Sequence, residues 1–168
     1  MDLKLTYAPP LAPDLFVAYS DADHGGCLDS GKSTTGYVVK MGTGAITWSS
    51  KLQMIVALST TEAEYVAACA AGSEILWLRN LFLELGFPIE GPSRLLVDNQ
   101  SALAVAKNPE HHGRMKHLDL RYYWLRHAVE SGLISIAYLS TQQMPADILT
   151  KSLPAPLVSD CRVRLGVC

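Results

Sequence analysis

Leu15, Val17 and Tyr19 alternate with their neighbours along the run Leu15-Phe16-Val17-Ala18-Tyr19-Ser20-Asp21, which reads as a first strand after a lead-in containing Pro9, Pro10 and Pro13. A polar, glycine-bearing loop from Asp23 to Ser33 follows. Two further β-like runs, Thr35 to Met41 and Ala45 to Ser49, are joined at Gly42-Thr43-Gly44, a hairpin signal. From Thr60 to Leu85 the period becomes helical. Ala67, Ala71, Ile75, Leu78, Phe82 and Leu85 share one face, and Gly86 with Pro88 ends the run. A short apolar strand, Leu95 to Asp98, leads straight into a short helix from Gln100 to Lys107. After a basic stretch, Leu118, Tyr122, Leu125 and Val129 form the stripe of another helix, stopped by Gly132. Ile134, Ile136 and Tyr138 alternate as a last strand, and Pro145 opens a further helix.

The order β-β-β-α-β-α-α-β-α, a hairpin-linked meander and then crossover connections, predicts an α/β fold with a mixed sheet covered by helices. The pattern divides the chain into a lead-in at 1–14, one folded domain at 15–153, and a tail or short terminal helix at 154–168. With 168 residues, 49% of them hydrophobic, one domain can bury a substantial core. Charged residues make up 18% and the net charge is −2, so the chain lacks the strong basicity of a stand-alone nucleic-acid binder. A domain that borrows affinity from a larger protein need not be basic. Cys27, Cys69, Cys161 and Cys168 have no paired spacing, which fits reduced thiols better than a zinc ribbon or a disulfide framework. The opening residues lack the pattern of a signal peptide, and no uninterrupted apolar run approaches the ~20 residues that span a bilayer. A soluble, intracellular protein without membrane contact is the expectation.

Four acids stand at positions where strands end or helices begin. Asp21 closes the first strand and Asp98 the fourth; singly, they read as a turn-starting Asp and a helix N-cap. Glu64 completes a capping-box pattern with Thr61, yet it lies in line with Ala67, Ala68, Ala71 and Ile75, where a carboxylate is costly unless something positive meets it. Asp147 follows Pro145 in a first turn, a place that favours an acid regardless of function. Taken together the four carry more weight. In open α/β sheets strand ends and first helical turns gather at one crevice. Clustered carboxylates repel, so a site holding them normally holds divalent cations, and oxygen-only ligands suit Mg²⁺ or Mn²⁺.

Several motifs carry a family resemblance. Asp21-Ala22-Asp23, Gly31 to Tyr37 and Ile46 to Lys51 resemble the opening of the ribonuclease H domain of copia-type LTR retrotransposon Pol polyproteins. Val56-Ala57-Leu58-Ser59-Thr60-Thr61-Glu62-Ala63-Glu64-Tyr65 resembles that family's most specific signature. Asp98 to Ala102, Lys116 to Tyr122 and Ala146 to Lys151 continue the match in the family's order. His24 and Cys27 depart from it, standing where Trp and an acid are usual. The loop from Ser140 to Met144 also lacks the His that many cellular ribonucleases H carry there.

The resemblance implies a ribonuclease H fold, with a five-stranded mixed sheet of three antiparallel strands then parallel crossovers flanked by helices, and a catalytic, metal-binding tetrad of Asp21, Glu64, Asp98 and Asp147. It implies two Mg²⁺ ions per site, replaceable by Mn²⁺, and hydrolysis of the RNA strand of RNA–DNA hybrids. Asp21 would be shared by both ions, Asp147 would serve the water-activating one, and Glu64 with Asp98 the other. The chain would follow reverse transcriptase in a longer polyprotein, in a cytoplasmic virus-like particle or the nucleus. With no His in that loop, the leaving group would take its proton from water or another residue.

From Lys107 to Arg126 the chain carries Lys107, Arg114, Lys116, Arg121 and Arg126 against only Glu110 and Asp119, with His117 among them. This local excess reads as a phosphate-facing surface, against the simpler alternative of a solvated helix flank. His111, His112 and His117 have no Cys or acid partner at zinc-ligand spacing. Trp48, Trp77 and Trp124 are expected in the core or at its edge. The competing functional class is a decayed or domesticated copy, kept as a non-enzymatic binding or assembly module. A third, an integrase or junction resolvase on the same fold, fits the element order but not the Val56-to-Tyr65 signature.

Overall fold

The structure is a computed structural model and describes residues 2–9, 14–107 and 123–168. Its strands are β1 (Phe16–Asp23), β2 (Thr34–Met41), β3 (Gly44–Leu52), β4 (Ser93–Val97) and β5 (Ile134–Tyr138). Its helices are α1 (Thr60–Glu84), α2 (Gln100–Lys107), α3 (Tyr123–Glu130) and α4 (Ala155–Arg164). Short 3-10 turns occupy Thr141–Gln143 and Pro145–Leu149. The sheet runs β3-β2-β1-β4-β5, antiparallel among the first three strands and parallel from β1 to β4 and β4 to β5. This is the mixed sheet the element order predicted.

The two sheet faces are covered differently, and alternation along β1 decides which residue meets which cover. Phe16 and Ala18 pack with Ala68, Ala71, Ile75 and Leu78 of α1. Each large side chain removed from water there contributes about 1.5–3 kcal/mol. Phe16 also meets Phe82 edge-on, with ring centroids 5.0 Å apart. The opposite parity, including Tyr19, joins Val38, Met144 and Ala146 under the second 3-10 turn. By length and composition α1 could cross a bilayer, but its apolar face is the one buried on the sheet.

The small residues of α1 set the spacing. Ala63, Ala67 and Ala71 have no exposure. Gly72 lies so close to α3 and β5 that an added Cβ would come within 2.9 Å of Leu125 and Trp124 side-chain atoms. The helix stripe predicted around Leu118 and Tyr122 lies partly outside the described residues. Within them, α3 buries Leu125 fully and packs Val129 at the core margin.

Four expectations need correction. Leu85 is the cap residue that follows α1 and is 59% exposed rather than extending its buried stripe. Trp48 and Trp77 are 59% and 56% exposed. Trp48 sits on edge strand β3 opposite Val38 and outside the cluster that buries Val38; Trp77 lines an open groove with Tyr37, Met54 and Glu74. Trp124 alone packs against the core. The helix opened by Pro145 is a five-residue 3-10 turn. It stops at Thr150, and Pro154 disfavours helical backbone just before it, so α-helix resumes at Ala155.

The chain's two ends pair with each other. Leu5 and Val167 form an antiparallel bridge, with Lys4 N–H donating to Cys168 O at 2.7 Å and Thr6 N–H to Gly166 O at 2.8 Å. Tyr7 Oη donates to Ala45 O at 2.9 Å, and Ala45 N–H donates to Leu165 O at 3.1 Å, which ties both ends to the β2–β3 hairpin.

Gly36 on β2 is the register partner of Asp21. An added Cβ there would lie 2.6 Å from Thr150 Cγ2 and 2.9 Å from Leu149 Cβ, so the second 3-10 turn requires glycine beneath it. Gly36→Ala is therefore expected to cost about 1–3 kcal/mol, the usual penalty for overpacking. Urea denaturation measures it, and an unshifted midpoint would mean that the turn lifts freely.

Candidate metal centre

β1 and β4 are neighbouring parallel strands whose last register pair is Ser20 with Val97. Asp21 and Asp98 are the next residues along the chain from each, so two carboxylates stand side by side where β4 ends. Asp21 does not close its strand as expected, because β1 goes on pairing with β2 as far as Asp23. Glu64 reaches the same point from the first turns of α1. One oxygen each from Asp21, Glu64 and Asp98 lie within 4.8 Å of one another. Asp147, on the second 3-10 turn, approaches Asp21 from the other face of the sheet through Lys151. The Lys151 ammonium lies 3.2 Å from Asp21 Oδ1 and 3.2 Å from Asp147 Oδ1.

Other residues perform the capping tasks that could have explained these acids. Asn99 caps α2, its Oδ1 accepting from Ala102 N–H at 2.9 Å, so Asp98 is not needed there. Ser59 caps α1 by accepting from Glu62 N–H at 3.2 Å, while Glu62 Oε2 accepts from Leu58 N–H at 2.8 Å. The capping box is thus Ser59 with Glu62, and Thr61 with Glu64 is not one. Glu62 is only 2% exposed, because its carboxylate folds back onto the loop that precedes the helix.

The environment of the acids is costly for charge. Asp21 has no solvent exposure; its Oδ2 accepts from Thr150 Oγ1 and its Oδ1 faces Lys151. Burial, then repulsion from Asp21 and Asp98, pushes the Glu64 carboxyl up to about 9. Burial, then Asp21, pushes Asp147 up to about 6. Burial also raises Asp98, partly offset by the Thr141 hydroxyl that donates to its Oδ2 at 2.8 Å. Burial alone would lower Lys151, but Asp21 and Asp147 outweigh it and hold the ammonium above its ordinary value.

Glu64 Oε2 is buried and has no hydrogen-bond partner among the described residues. An unsatisfied buried oxygen facing two further carboxylates is what a hard divalent cation would satisfy. The residues present therefore fit a divalent metal. Among the described residues no His or Cys belongs to the cluster.

Of the residues assigned to substrate, Lys107 is the exposed last residue of α2. Arg126 of α3 donates to Val105 O at 3.1 Å and lies over the Tyr123 ring, 5.7 Å from its centroid. Arg114, Lys116, His117 and Arg121 lie outside the described residues, as do His111 and His112. Sequence reasoning missed Thr141, Thr150 and Lys151. Lys151 follows Asp147 at i+4, a spacing that by itself reads as an ordinary helical ion pair.

Comparison with known proteins agrees with this fold. No protein-family model matches the chain. A ribonuclease H1 isolated from compost by a metagenomic approach superposes with a TM-score of 0.55 at 15% identity, covering 82% of this chain and 93% of that one. The same enzyme in complex with an RNA/DNA hybrid superposes at 0.53 with 16% identity, covering 80% and 93%. The fold is that of ribonuclease H. In sequence the chain is 44% identical over 149 residues to the retrovirus-related Pol polyprotein of transposon TNT 1-94 from Nicotiana tabacum, covering 89% of this chain and 11% of the relative. It is 40% identical over 150 residues to that of transposon RE1 from Arabidopsis thaliana, covering 89% of this chain and 10% of the relative. The chain is thus a relative of the Pol polyproteins of copia-type retrotransposons, with a ribonuclease H fold, and it spans about a tenth of their length.

The displaced affinity of Glu64 makes a pH prediction for the metal-free domain. Because its carboxyl rises from an ordinary 4.5 to about 9 on folding, its contribution to stability is fully present below about 4.5 and is lost as pH rises toward 9. Asp147 and Asp98 act in the same direction at lower pH, so the difference between wild type and Glu64→Gln isolates Glu64. In EDTA, Glu64→Gln is expected to gain on wild type steadily between those pH values. Glu62→Gln, by contrast, is expected to lose at most about 1 kcal/mol without that steady trend, because Gln can still serve in a capping box. Thermal melts across the range check both.

Proposed function

We propose that this domain is a metal-dependent endoribonuclease that hydrolyses the RNA strand of an RNA–DNA hybrid during retrotransposon reverse transcription. The observation that carries this reading is the convergence of Asp21, Glu64 and Asp98 at the carboxyl end of the sheet, with an oxygen of Glu64 left unsatisfied. Its fold neighbour's complex with an RNA/DNA hybrid adds support for the substrate class. Asp21 is the acid whose charge each of the other three feels, which favours it as the ligand shared by two ions. Glu64 and Asp98 would complete one position and Asp147 the other.

Mg²⁺ bound there, or Mn²⁺ in its place, would supply a Lewis acid for the scissile phosphate and an acidified water. The residues do the rest. Burial of Asp21 excludes bulk water from the centre of the site, and the Thr141 and Thr150 hydroxyls fix the orientation of Asp98 and Asp21. Discrimination of RNA from DNA requires contacts to 2′-hydroxyls. The basic stretch containing Lys107, Arg114, Lys116, His117, Arg121 and Arg126 would hold the phosphate backbone. The leaving group would draw its proton from water or a residue other than His, since residues 140–144 contain none. In this reading the reverse transcriptase of the same polyprotein is the functional partner, in a virus-like particle or the nucleus.

Purified domain given Mg²⁺ or Mn²⁺ is expected to cut only the RNA strand of a labelled hybrid, leaving 5′-phosphate and 3′-hydroxyl ends. Asp21→Asn, Asp98→Asn and Glu64→Gln should abolish cutting and stay folded, whereas Glu62→Gln should keep most activity. Cutting that survives excess EDTA, or equal cutting of double-stranded DNA, overturns the reading. A decayed copy retained as a binding module would instead bind hybrid and leave it intact.

Replacing Arg114 and Lys116 together is expected to raise the apparent KM and flatten its salt dependence, because fewer counter-ions are released on binding. An unchanged slope in a salt titration would remove that stretch from the interface.

A further inference from the structure

The two sides of the carboxylate cluster are not equivalent. On the Glu64 and Asp98 side a buried oxygen has no partner among the described residues. On the Asp147 side every available oxygen of Asp21 is engaged: Oδ2 accepts from Thr150 Oγ1, and Oδ1 faces the Lys151 ammonium at 3.2 Å. The same ammonium is 3.2 Å from Asp147 Oδ1. One cation therefore already bridges the two acids assigned above to a single divalent ion.

We infer that Lys151 is an internal counter-ion that occupies the Asp21–Asp147 position in the metal-free domain and must swing out before a second divalent ion binds there. The inference rests on the reading of Asp21 and Asp147 as metal ligands. Three observations support it. The Asp21 partner is wholly buried and 130 residues distant in sequence, so this is not merely the weak surface i,i+4 pair with Asp147. A carboxylate without solvent exposure requires a compensating charge, and among the described residues Lys151 is the cation paired with it. The Lys151 side chain is also 37% exposed, which leaves it a route to solvent without disturbing the fold. The consequence is ordered loading: the side holding Glu64 fills first, and the side holding Lys151 fills at higher metal concentration.

The test is Mn²⁺ binding to the whole chain, followed by calorimetry, for wild type and Lys151→Gln. The weaker of two sites is expected to tighten at least about tenfold in the variant, the scale expected when a unit charge a few ångströms from the ligands is removed. Equal affinities in two folded proteins would overturn the inference while leaving the metal site intact. Absence of divalent binding to either protein would overturn both the inference and the functional reading. Should Lys151→Gln fold only when Mn²⁺ is present, that result supports the counter-ion role. The unmodified protein provides an independent measurement, because side-chain ammonium resonances report on lysines held in ion pairs. The Lys151 signal is expected to be slow to exchange in EDTA and to shift or broaden at saturating Mg²⁺. A signal that saturating Mg²⁺ leaves unmoved would overturn the inference.

Discussion

Asp21 holds a carboxylate with no solvent exposure on the middle strand of the sheet, one residue past its last pairing with β4. A buried charge of this kind is tolerated only where hydrogen bonds and opposite charge surround it. Thr150 and Lys151 meet that demand, and both are delivered by the turn that begins at Pro145. The turn can reach Asp21 because its register partner on β2 is a glycine. The bare position at Gly36, the 3-10 geometry and the placement of Asp147 are therefore parts of one solution to the desolvation of a single side chain.

The helix face opposite solves a related problem by size. α1 brings Glu64 to the strand ends because Ala63, Ala67, Ala71 and Gly72 let its backbone lie close to the sheet and to α3. Larger residues would pack as much apolar surface but hold Glu64 farther away. Farther along the same helix, Ile75 and Leu78 supply the bulk that anchors it. Small residues near the chemistry and large ones away from it divide positioning from stability along one element.

Much of this was legible in the residues. Strand alternation and the 3.6-residue helical period gave the element order, and hence the mixed sheet, because each depends only on near neighbours. The acids stood out singly as cap or turn residues and jointly as a cluster. What separated those readings was the identity of the actual caps, Ser59 with Glu62 and Asn99, and cap geometry lies within a few residues of each acid. Lys151 was hidden because its decisive partner is Asp21, and no local period reports a contact across 130 residues. The exposure of Trp48 and Trp77 was hidden as well, since neither an edge-strand position nor an uncovered stretch of helix shows in a local period.

The pairing of Lys4 and Thr6 with Cys168 and Gly166 has a mechanical meaning. Because the two segments run antiparallel and meet at their outer ends, tension applied there opens the hydrogen bonds in succession, as a zip opens, rather than loading them all in shear. Peeling the C-terminal segment next frees α4, whose Arg164 donates to Gln143 O and whose backbone continues into the pairing segment. That helix also packs on the turn that carries Asp147. Strain on the ends thus reaches the carboxylate cluster by a short path, while the β1–β4 pairing that aligns Asp21 with Asp98 stays out of the line of force.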